Sequence, residues 1–424
     1  MNDFVQAMKK GVEIKDRKIL LKTYPNSFVG SEAIDWMIHN LPLRDREEAI
    51  QLGTKLLEQG YIICCTETGK TTFKDTDKLY TFNDVTAESI TASMKETSLD
   101  EPSVTLEDFE MLQTIGRGGF GKVMKVKRKG GDKIYAMKIM NKTKISGQRQ
   151  LQCLIAEKNI MLNDNPFLVH LHYSFQTDDK LYFVMDYISG GDMAYHLERK
   201  GRFNEKEVRF FAAELVLAIE HLHSCGVIYR DLKLENILLD KDGHICLTDF
   251  GLSKELESIS ATTKTVCGTP TYLAPEILLG QPYGNSIDWW SLGVVIFELF
   301  TGTNPFDAHD FDTVLSNILH RAVVVPDYVP PAGKLLIEQL LQRNPQKRLC
   351  CGPTGSAEIQ NHPFFEKLDW SKLAVKAKKA PFVPKGEENF DPNIDEGEPP
   401  EGKNDNARNL EIKDFTYVGK TIIN

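Results

Sequence analysis

The chain of 424 residues is 41% hydrophobic and 26% charged, which is an ordinary composition for a folded protein with room for several domains. Its formal net charge of −9 argues against a general nucleic-acid coat protein, and the best apolar run, residues 289–300, is too short to cross a membrane and carries Glu298. The eight cysteines form no Cys-x-x-Cys pair, so we expect reduced thiols rather than a zinc site or a disulfide framework.

Targeting signals are not visible in the sequence. Residues 1–16 are charged early and contain no long apolar segment, so we expect no secretory signal peptide. Asn2 and the final residues TIIN match neither a myristoylation nor a prenylation motif. A cytoplasmic location and no nucleic-acid partner are therefore the default expectations.

The first 85 residues predict a small α+β unit. Ser31 is a candidate N-cap for a helix whose apolar residues, from Ile34 to Leu41, recur at helical spacing. A second helix is predicted over residues 45–58, stopped by Gly60, and the pieces YIICC, KTTF and KLYTF are β-rich. Nearly the whole of this unit resembles a DEP domain, and three sequence segments carry the resemblance: LLKTYPNSFVGSEAIDWMI, EEAIQLGTKLLEQGYI and FKDTDKLYTF.

The DEP resemblance implies a winged-helix-like module that docks on membrane lipids or receptor partners. Basic residues outnumber acidic ones near its start: Lys9, Lys10, Lys15, Arg17, Lys18 and Lys22 against Glu13 and Asp16. Each cation near anionic lipid would add about 1 kcal/mol of attraction. A solvated hairpin arm explains the same pattern equally well. Residues 86–106, rich in Ser, Thr and acidic residues, are predicted to be a linker.

From Phe109 the pattern changes to strands joined by a glycine-rich loop. FEMLQTI alternates like a strand and runs into GRGGFGKV, after which VMKVKRK and KIYAMKIM predict further strands. Gly116, Gly118 and Gly121 would let backbone amides approach phosphates where a Cβ would collide. Alone, such a loop is weak evidence for phosphate binding. A strand beginning near Val123, rather than a helix, follows the loop, which disfavours a dinucleotide-binding fold.

The segments that follow the loop make the signal specific. Lys138 in YAMK lies on the second predicted strand after the loop, and Glu157 lies on a helical segment, so the two are expected to pair. YRDLKLEN, TDFG and YLAPE then follow in that order. The series resembles the protein kinase family over residues 109–365, with motifs and roles already described for phosphoryl-transfer enzymes. We therefore place a catalytic domain at 107–365 and a C-terminal tail at 366–424.

The kinase resemblance implies a role for each motif residue, with ATP and Mg²⁺ as cofactors. Asp231 accepts the proton of the substrate hydroxyl, Lys233 steadies the transferring phosphate, and Asn236 and Asp249 hold the metal. Lys233 with Thr269 in CGTP is the serine/threonine pattern. The implied nucleotide-binding residues are Ile115, Gly116, Arg117, Gly118, Gly119, Phe120, Gly121, Lys122, Val123, Ala136, Lys138, Met185, Asp186 and Ile188.

Two further predictions concern the support of this site. DWWSLGVVIFELFTG is apolar nearly all round and predicts a buried helix, on which Asp288 is expected to brace the catalytic loop. Arg348 is expected to form a salt bridge with Glu276 of APE. The overall expectation is an α+β chain: a bilobal protein-kinase fold with an N-terminal winged-helix-like DEP domain and a C-terminal tail.

The tail resembles that of the AGC group of kinases, which includes protein kinases A, B and C. YRDLK, KTVCGTPTYLAPE and the tail pieces PFVP, NFD and IKDFTY carry this resemblance. It implies that Ile412, Phe415 and Tyr417 fold back into a pocket on the small lobe beside the helix that carries Glu157. Ile412 replaces the usual aromatic residue, which weakens the expected docking. A disordered tail with incidental apolar residues is the alternative.

The same resemblance implies two phosphorylation sites and an upstream activating kinase. Thr416 lies in the tail motif and Thr265 in the activation loop, with Arg230 as the cation expected to meet the added charge. No Ser or Thr occurs from Lys372 to Phe415, so a second tail phosphosite is missing. We hypothesise that fixed carboxylates such as those of Asp395, Glu396 and Glu398 replace it; unchanged stability and activity after their neutralisation would refute this.

Substrate selection in the group depends on acidic residues that bind arginines upstream of the acceptor. Asp192 and Glu235 match such positions, whereas Thr271 stands where glutamate is usual and Ser316 replaces another acidic residue. We therefore expect a monomeric kinase that prefers protein substrates with upstream basic residues. One alternative is a pseudokinase scaffold localised by its DEP domain, which the intact motif residues disfavour. The other is a winged-helix transcription regulator, which is disfavoured because the N-terminal unit of this chain is not strongly basic.

Overall fold

The computed structural model describes residues 8–9, 11–19, 22–40, 45–58, 61–64, 73–74, 76, 78–82, 104–118, 121–145, 148–255, 263, 268–352, 355–385, 412 and 415–419. The chain divides into two compact units, Met1–Pro102 and Ser103–Asn424. In the described ranges, no helix is both long enough and apolar enough to cross a membrane. Several predictions fall outside those ranges: Leu41, Gly60, residues 70–72, Gly119, Phe120, Thr265 and the acidic tail with Asp395, Glu396 and Glu398.

The described residues of the first unit form a four-stranded antiparallel sheet and helices. Its elements are β1 (Lys15–Ile19), β2 (Lys22–Val29), α1 (Gly30–Asn40), α2 (Arg46–Glu58), β3 (Ile62–Cys64) and β4 (Leu79–Phe82). The strand order is β1-β2-β4-β3. Phe28, Ile34 and Met37 are fully buried, and Phe73 packs on Tyr80 with ring centroids 4.4 Å apart. The predicted helices are therefore confirmed, whereas Phe73 of KTTF is a core residue outside the strands.

The prediction that Ser31 caps the first helix is wrong. Helix α1 already begins at Gly30, and the first amides find partners on another segment: Gly30 N–H donates to Lys78 O at 2.9 Å and Ser31 N–H to Thr76 O at 3.0 Å. A Cβ on Gly30 would lie 2.4 Å from Lys74 O, so only glycine admits this approach. Backbone carbonyls therefore do the work of a side-chain cap.

The basic residues at the start of this unit have partners within it. Arg17 forms ion pairs with Glu32 at 2.8 Å and with Glu13 at 3.3 Å, and Lys15 pairs with Glu13 at 2.7 Å. Lys9 lies 5.6 Å from the centre of the Phe82 ring. Part of the positive charge therefore stabilises the unit itself, as the hairpin-arm interpretation expects.

The second unit has a sheet lobe followed by a helical lobe. The sheet lobe contains β5 (Phe109–Gly118), β6 (Gly121–Arg128), β7 (Ile134–Asn141), α3 (Gln148–Met161), β8 (Leu171–Gln176) and β9 (Lys180–Asp186). The helical lobe contains α4 (Met193–Lys200), α5 (Glu205–Ser224), β10 (Val227–Ile228), β11 (Ile237–Leu239), β12 (Ile245–Leu247), β13 (Lys254–Glu255), α6 (Pro275–Leu278), α7 (Ser286–Thr301), α8 (Phe311–His320), α9 (Pro331–Leu340), α10 (Ala357–Gln360) and α11 (Trp370–Ala374). Strand β14 (Tyr417–Val418) returns to the sheet lobe, and the strand order there is β14-β8-β9-β7-β6-β5.

The end of the predicted linker is part of this second unit. Val104 is buried and joins Phe109, Tyr135 and Tyr173 in an apolar cluster on the sheet. Asp108 accepts a hydrogen bond from Thr105 N–H at 2.7 Å in a short turn that leads into β5. Residues that composition alone assigns to a linker therefore pack on the sheet.

Helix α7 confirms the predicted buried helix. Its residues from Ile287 to Phe300 are all buried. The helix ends at Gly302, which has φ 79° and whose Cβ position would lie 2.1 Å from Gly201 O. A glycine is therefore required there both by the left-handed backbone and by the contact. The buried helix provides a rigid support for the loop that follows α5.

Candidate active site

The loop between β10 and β11 is fixed to helix α7 through Asp288. The Asp288 carboxylate is fully buried and accepts hydrogen bonds from Tyr229 N–H at 3.0 Å and Arg230 N–H at 2.9 Å. His223 Nε2 lies 2.7 Å from the same carboxylate. A buried carboxylate is tolerated because these partners replace water. The predicted bracing role of Asp288 is confirmed.

Asp231 lies at the centre of a hydrogen-bonded group in this loop. Asn236 Nδ2 donates to Asp231 Oδ2 at 2.9 Å, and Lys233 Nζ lies 3.2 Å from the same oxygen. Thr269 Oγ1 donates to Asp231 Oδ1 at 3.1 Å and accepts from Lys233 Nζ at 3.0 Å. Asp231 is only 7% exposed. The structure therefore brings together four residues from sequence positions up to 38 apart.

Lys138 on β7 forms the predicted pair with Glu157 on α3. Lys138 Nζ lies 2.6 Å from Glu157 Oε1 and 3.0 Å from Asp249 Oδ1. Burial opposes the charge of the lysine, but the two carboxylates outweigh burial and raise its pKa. The charge of Lys138 lowers the pKa of Asp249 in turn. A cation and an anion are therefore held side by side between the two lobes.

Asn236 and Asp249 fit a metal ion that is shared with a phosphorylated ligand. Asp249 has φ 56°, and 54% of its side chain is exposed, so its carboxylate faces open space. In the described ranges, no group of three or more His, Cys, Asp and Glu side chains is arranged to hold a metal. Mg²⁺ is typically bound by one or two protein oxygens, with phosphates and water completing its shell. A carboxylate and an amide are a suitable pair of oxygen donors.

The glycine-rich loop lies at the turn between β5 and β6, where Gly118 pairs with Gly121. A Cβ on Gly116 would meet Val123 at 3.6 Å, an ordinary contact. A Cβ on Gly121 would lie 1.7 Å from Ile139 O, so β7 alone already requires glycine there. The sequence argument that assigned Gly121 to phosphate approach therefore missed its structural role in the sheet.

The remaining predicted nucleotide residues lie along the strands that face the lobe junction. Ile115, Gly116, Arg117 and Gly118 are on β5; Gly121, Lys122 and Val123 on β6; Ala136 and Lys138 on β7; Met185 and Asp186 at the end of β9; and Ile188 follows β9. Ala136 pairs with Met185 across β7 and β9. The segment after Asp186 leads into α4 in the helical lobe.

The C-terminal motif docks on the sheet lobe as an added strand. Strand β14 pairs antiparallel with β8, with Tyr417 opposite Ser174. Phe415 is fully buried and stacks on Phe183 with centroids 5.2 Å apart. Lys158 of α3, the helix that carries Glu157, lies 5.9 Å from the Tyr417 ring centre. The predicted docking beside this helix is therefore confirmed.

Backbone contacts hold the unusual Ile412 in the same docking site. Ile412 N–H donates to Gln176 Oε1 at 3.0 Å, and Gln176 Nε2 donates to Ile412 O at 3.0 Å. The Ile412 side chain is 4% exposed. Thr416, which follows the buried Phe415, is exposed. Its hydroxyl is accessible to a modifying enzyme.

The two predicted substrate-binding acids differ in their surroundings. Asp192 is the N-cap of α4 and accepts from Tyr195 N–H at 2.8 Å, while burial and the charge of nearby Glu235 raise its pKa. Glu235 is exposed in the short turn Leu234–Asn236. Asp192 therefore caps α4, its substrate-binding role stays a prediction, and Glu235 presents the more open carboxylate.

Sequence reasoning missed Glu298 as a functional candidate. It lies on the buried helix α7, is 7% exposed and accepts hydrogen bonds from Tyr272 Oη at 2.7 Å and Asn304 Nδ2 at 3.1 Å. Burial raises its pKa to about 7, and the charges of Glu235 and Asp307 add to this effect. The signal in the sequence was a second carboxylate, besides Asp288, inside an apolar helix.

Arg230 is the cation predicted to meet a phosphorylated activation loop. It has φ 70° and is 8% exposed. Its guanidinium donates to the carbonyl oxygens of Leu252 at 2.5 Å and Ser253 at 3.4 Å, and lies 3.5 Å from Tyr283 Oη. These oxygens are all uncharged, so a buried cation is held beside Leu252 and Ser253.

Comparison with known proteins gives two family matches. The protein kinase domain family matches residues 109–365, and the domain found in Dishevelled, Egl-10 and Pleckstrin (DEP) matches residues 11–82. The chain is similar to "Protein kinase 2" of Dictyostelium discoideum, at 49% identity over 289 residues, which are 68% of this chain and 60% of that protein. It is 47% identical to the mouse (Mus musculus) serine/threonine-protein kinase Sgk3 over 285 residues, 67% of this chain and 57% of that protein.

A third relative extends the comparison. The chain is 44% identical to the RAC-beta serine/threonine-protein kinase of Rattus norvegicus over 301 residues, 70% of this chain and 63% of that protein. The matched segment thus spans less than two thirds of the length of each of these relatives.

Proposed function

We propose that this chain, which belongs to the protein kinase family and carries a DEP domain, transfers the terminal phosphoryl group of ATP to serine or threonine hydroxyls of proteins. The relatives are kinases of the AGC group. We also propose the boundaries 1–85 for the DEP domain, 86–106 for the linker, 107–365 for the catalytic domain and 366–424 for the tail, with the last linker residues, from Val104, packed on the sheet lobe. The observation that carries the proposal is the meeting of the Lys138 and Asp231 groups at one lobe junction.

The side chains at this junction suit phosphoryl transfer. Asp231 is positioned to accept the proton of an incoming hydroxyl, and Lys233 supplies a positive charge within 3.2 Å of its carboxylate. Lys138, held by Glu157, supplies a second positive charge on the nucleotide side. Bound Mg²⁺ would neutralise phosphate charge, and Asn236 and Asp249 are the residues that would hold it. Positioning and charge are what this reaction requires of a protein.

The contact between Lys233 and Thr269 supports a serine or threonine acceptor. The Thr269 hydroxyl bridges Lys233 and Asp231 at 3.0 and 3.1 Å, which fixes the lysine beside the base. This is the pair that the serine/threonine pattern in the sequence predicted, and the named relatives above are serine/threonine kinases.

Phosphate transfer from ATP to an arginine-rich serine peptide tests the proposal. We expect turnover with the full chain and Mg²⁺, and much weaker turnover with a peptide in which the upstream arginines are alanine. A pseudokinase scaffold, the alternative function, would bind a fluorescent ATP analogue and transfer nothing. Absence of transfer under activating conditions would therefore favour the scaffold.

The preference for upstream arginines is expected to depend on pH through Glu298. Its pKa of about 7 means that roughly a tenth of the carboxylate is ionised at pH 6 and about nine tenths at pH 8. Glu298 lies close enough to Glu235, a predicted arginine-binding residue, for their charges to interact. Because ionised Glu298 would add negative charge beside Glu235, KM for the arginine peptide should fall about five- to tenfold from pH 6 to pH 8. KM measured at both pH values, with the alanine peptide as control, checks this. A trend that persists in Glu298→Gln would contradict it.

Regulation is proposed to act through Thr265 and Thr416. A phosphate on Thr265, added by another kinase, would give the buried Arg230 guanidinium an anionic partner. Thr416 is exposed within the docked tail, where a second phosphate is readily added. Activity of Thr265→Ala and Thr416→Ala, each measured after treatment with an activating kinase, tests both sites. Full activity in both variants would refute the regulatory proposal.

We propose that the DEP domain brings a monomeric, cytoplasmic kinase to a membrane lipid or receptor partner. The domain match and the basic residues at its start support this proposal. Co-sedimentation of the full chain with anionic vesicles, compared with neutral vesicles, tests the lipid branch. Equal recovery with both vesicle types would leave a protein partner as the surviving proposal.

A further inference from the structure

The C-terminal segment makes a backbone contact beyond the docked motif. Gly419 N–H donates to His172 O on β8 at 2.8 Å, one residue past strand β14. A Cβ on Gly419 would lie 2.8 Å from that same oxygen and 3.6 Å from the His172 carbonyl carbon. Only glycine brings the backbone this close without displacement. The end of the tail therefore rests directly on the main chain of His172.

The side chain of His172 makes a second contact, toward the end of β9. His172 Nε2 lies 2.6 Å from Asp186 Oδ1. Asp186 N–H donates to His170 O at 3.1 Å, so β8 and the residue just before it contact the side chain and the backbone of Asp186. Burial disfavours the Asp186 carboxylate, but the hydrogen bond and charge of His172 outweigh burial and lower its pKa. Asp186 is therefore an anionic acceptor for this histidine.

The imidazole of His172 is held from other directions as well. The ring packs edge to face on Tyr135 with centroids 5.1 Å apart and on His170 at 5.2 Å. Lys133 Nζ lies 3.4 Å from His172 Nε2. Tyr135 pairs with Asp186 across β7 and β9, next to the pairing of Ala136 with Met185. The ring thus contacts the strand pair that carries Ala136, Met185 and Asp186, three of the predicted nucleotide-binding residues.

We propose that His172 is a positioning residue that couples docking of the C-terminal strand to the part of the nucleotide site predicted at Ala136, Met185 and Asp186. The His172 carbonyl accepts the hydrogen bond from the tail, and the His172 imidazole fixes Asp186 at the start of the segment between the lobes. The inference rests on the proposed kinase function and concerns regulation of that same site. Loss of either contact should weaken nucleotide binding more than it slows the chemical step.

Variants of His172 separate positioning from simple stability. His172→Leu removes the donor at similar volume and is expected to raise both KM for ATP and Kd for a fluorescent ATP analogue about five- to tenfold, with kcat within twofold. His172→Gln keeps an N–H donor at similar reach and should stay within about twofold of the native chain. Lys127→Leu is the matched control, because it breaks the Lys127–Asp132 pair of 2.8 Å in the neighbouring β6–β7 hairpin.

The coupling itself is tested by combining the tail and histidine variants. Gly419→Ala in the full chain should raise KM for ATP and Kd for the analogue about threefold or more. The same change in His172→Leu should add little, because the contact between residue 172 and Asp186 is already lost there. Additive effects, an equal loss in Lys127→Leu, or no rescue by glutamine would each overturn the proposal. Analogue binding without any transfer in the native chain would refute the kinase proposal instead, while the Kd comparison would still decide the role of His172.

Discussion

Replacing Asp231 with asparagine is expected to lower kcat for phosphate transfer about 10²- to 10⁴-fold, the usual contribution of a positioned general base. The amide is close to isosteric and can keep the local contacts. Its oxygen can accept from Asn236 and Lys233, while its nitrogen donates to Thr269 Oγ1, whose hydroxyl is able to accept. The variant therefore removes the proton acceptor and leaves the loop in place.

Measurements of kcat with the arginine peptide and of analogue binding check this prediction together. Analogue Kd should stay within about twofold, since Asp231 has no direct role on the nucleotide side. Asp240→Asn is the matched control, because it makes the same change in the same lobe at a carboxylate that pairs with Lys376 at 3.0 Å. If Asp231→Asn kept more than a tenth of native kcat, the assignment of the base would be wrong.

The motif residues were predictable because their chemistry fixes both residue type and order. A lysine on a strand and a glutamate on the next helix predicted the ion pair of Lys138 with Glu157, which the structure shows at 2.6 Å. Asp288 in an apolar helix likewise predicted a buried acceptor, since an ionised group in such a place needs partners. The local sequence pattern was sufficient to predict a contact where the residue type allows only one kind of partner.

Positions whose partners are distant in sequence were not predictable in the same way. Ser31 has the residue type of an N-cap, yet the amides of the first turn bond to carbonyls of residues 76 and 78. Gly121 reads as a phosphate-loop glycine, yet Ile139 O of the neighbouring strand already excludes a side chain. In both cases contacts with residues distant in sequence decide what Ser31 and Gly121 do, and the neighbouring residues in the sequence do not predict those contacts.

Glu298 and His172 show the same limit for function. The partners of Glu298 are Tyr272 and Asn304, and burial on α7, together with the charges of Glu235 and Asp307, raises its pKa to about 7. His172 is adjacent to Gly419 only because the tail returns as a strand across the sheet lobe. A sequence pattern gives residue type and spacing along one element, whereas these two sites depend on packing between elements.

The largest effect on stability is expected from Arg348→Ala, which should lower the free energy of unfolding by about 3–5 kcal/mol. Arg348 and Glu276 form the predicted bridge through two hydrogen bonds of 2.6 and 2.9 Å, and their side chains are 0% and 2% exposed. Arg348 also donates to Gln342 O at 3.0 Å and Ser286 O at 2.9 Å. Removing the arginine leaves a buried carboxylate without its cation.

Urea unfolding of the full chain, followed by tryptophan fluorescence, measures this cost, because Trp290 lies 5.3 Å from the Arg348 guanidinium. Lys372→Ala is the control: its pair with Asp369 is exposed, 70% and 45%, and should contribute at most about 1 kcal/mol. Replacing both Arg348 and Glu276 with apolar residues of similar size should restore much of the loss, since no buried charge remains. A single variant no less stable than the double one would show that the desolvated carboxylate is not the cause.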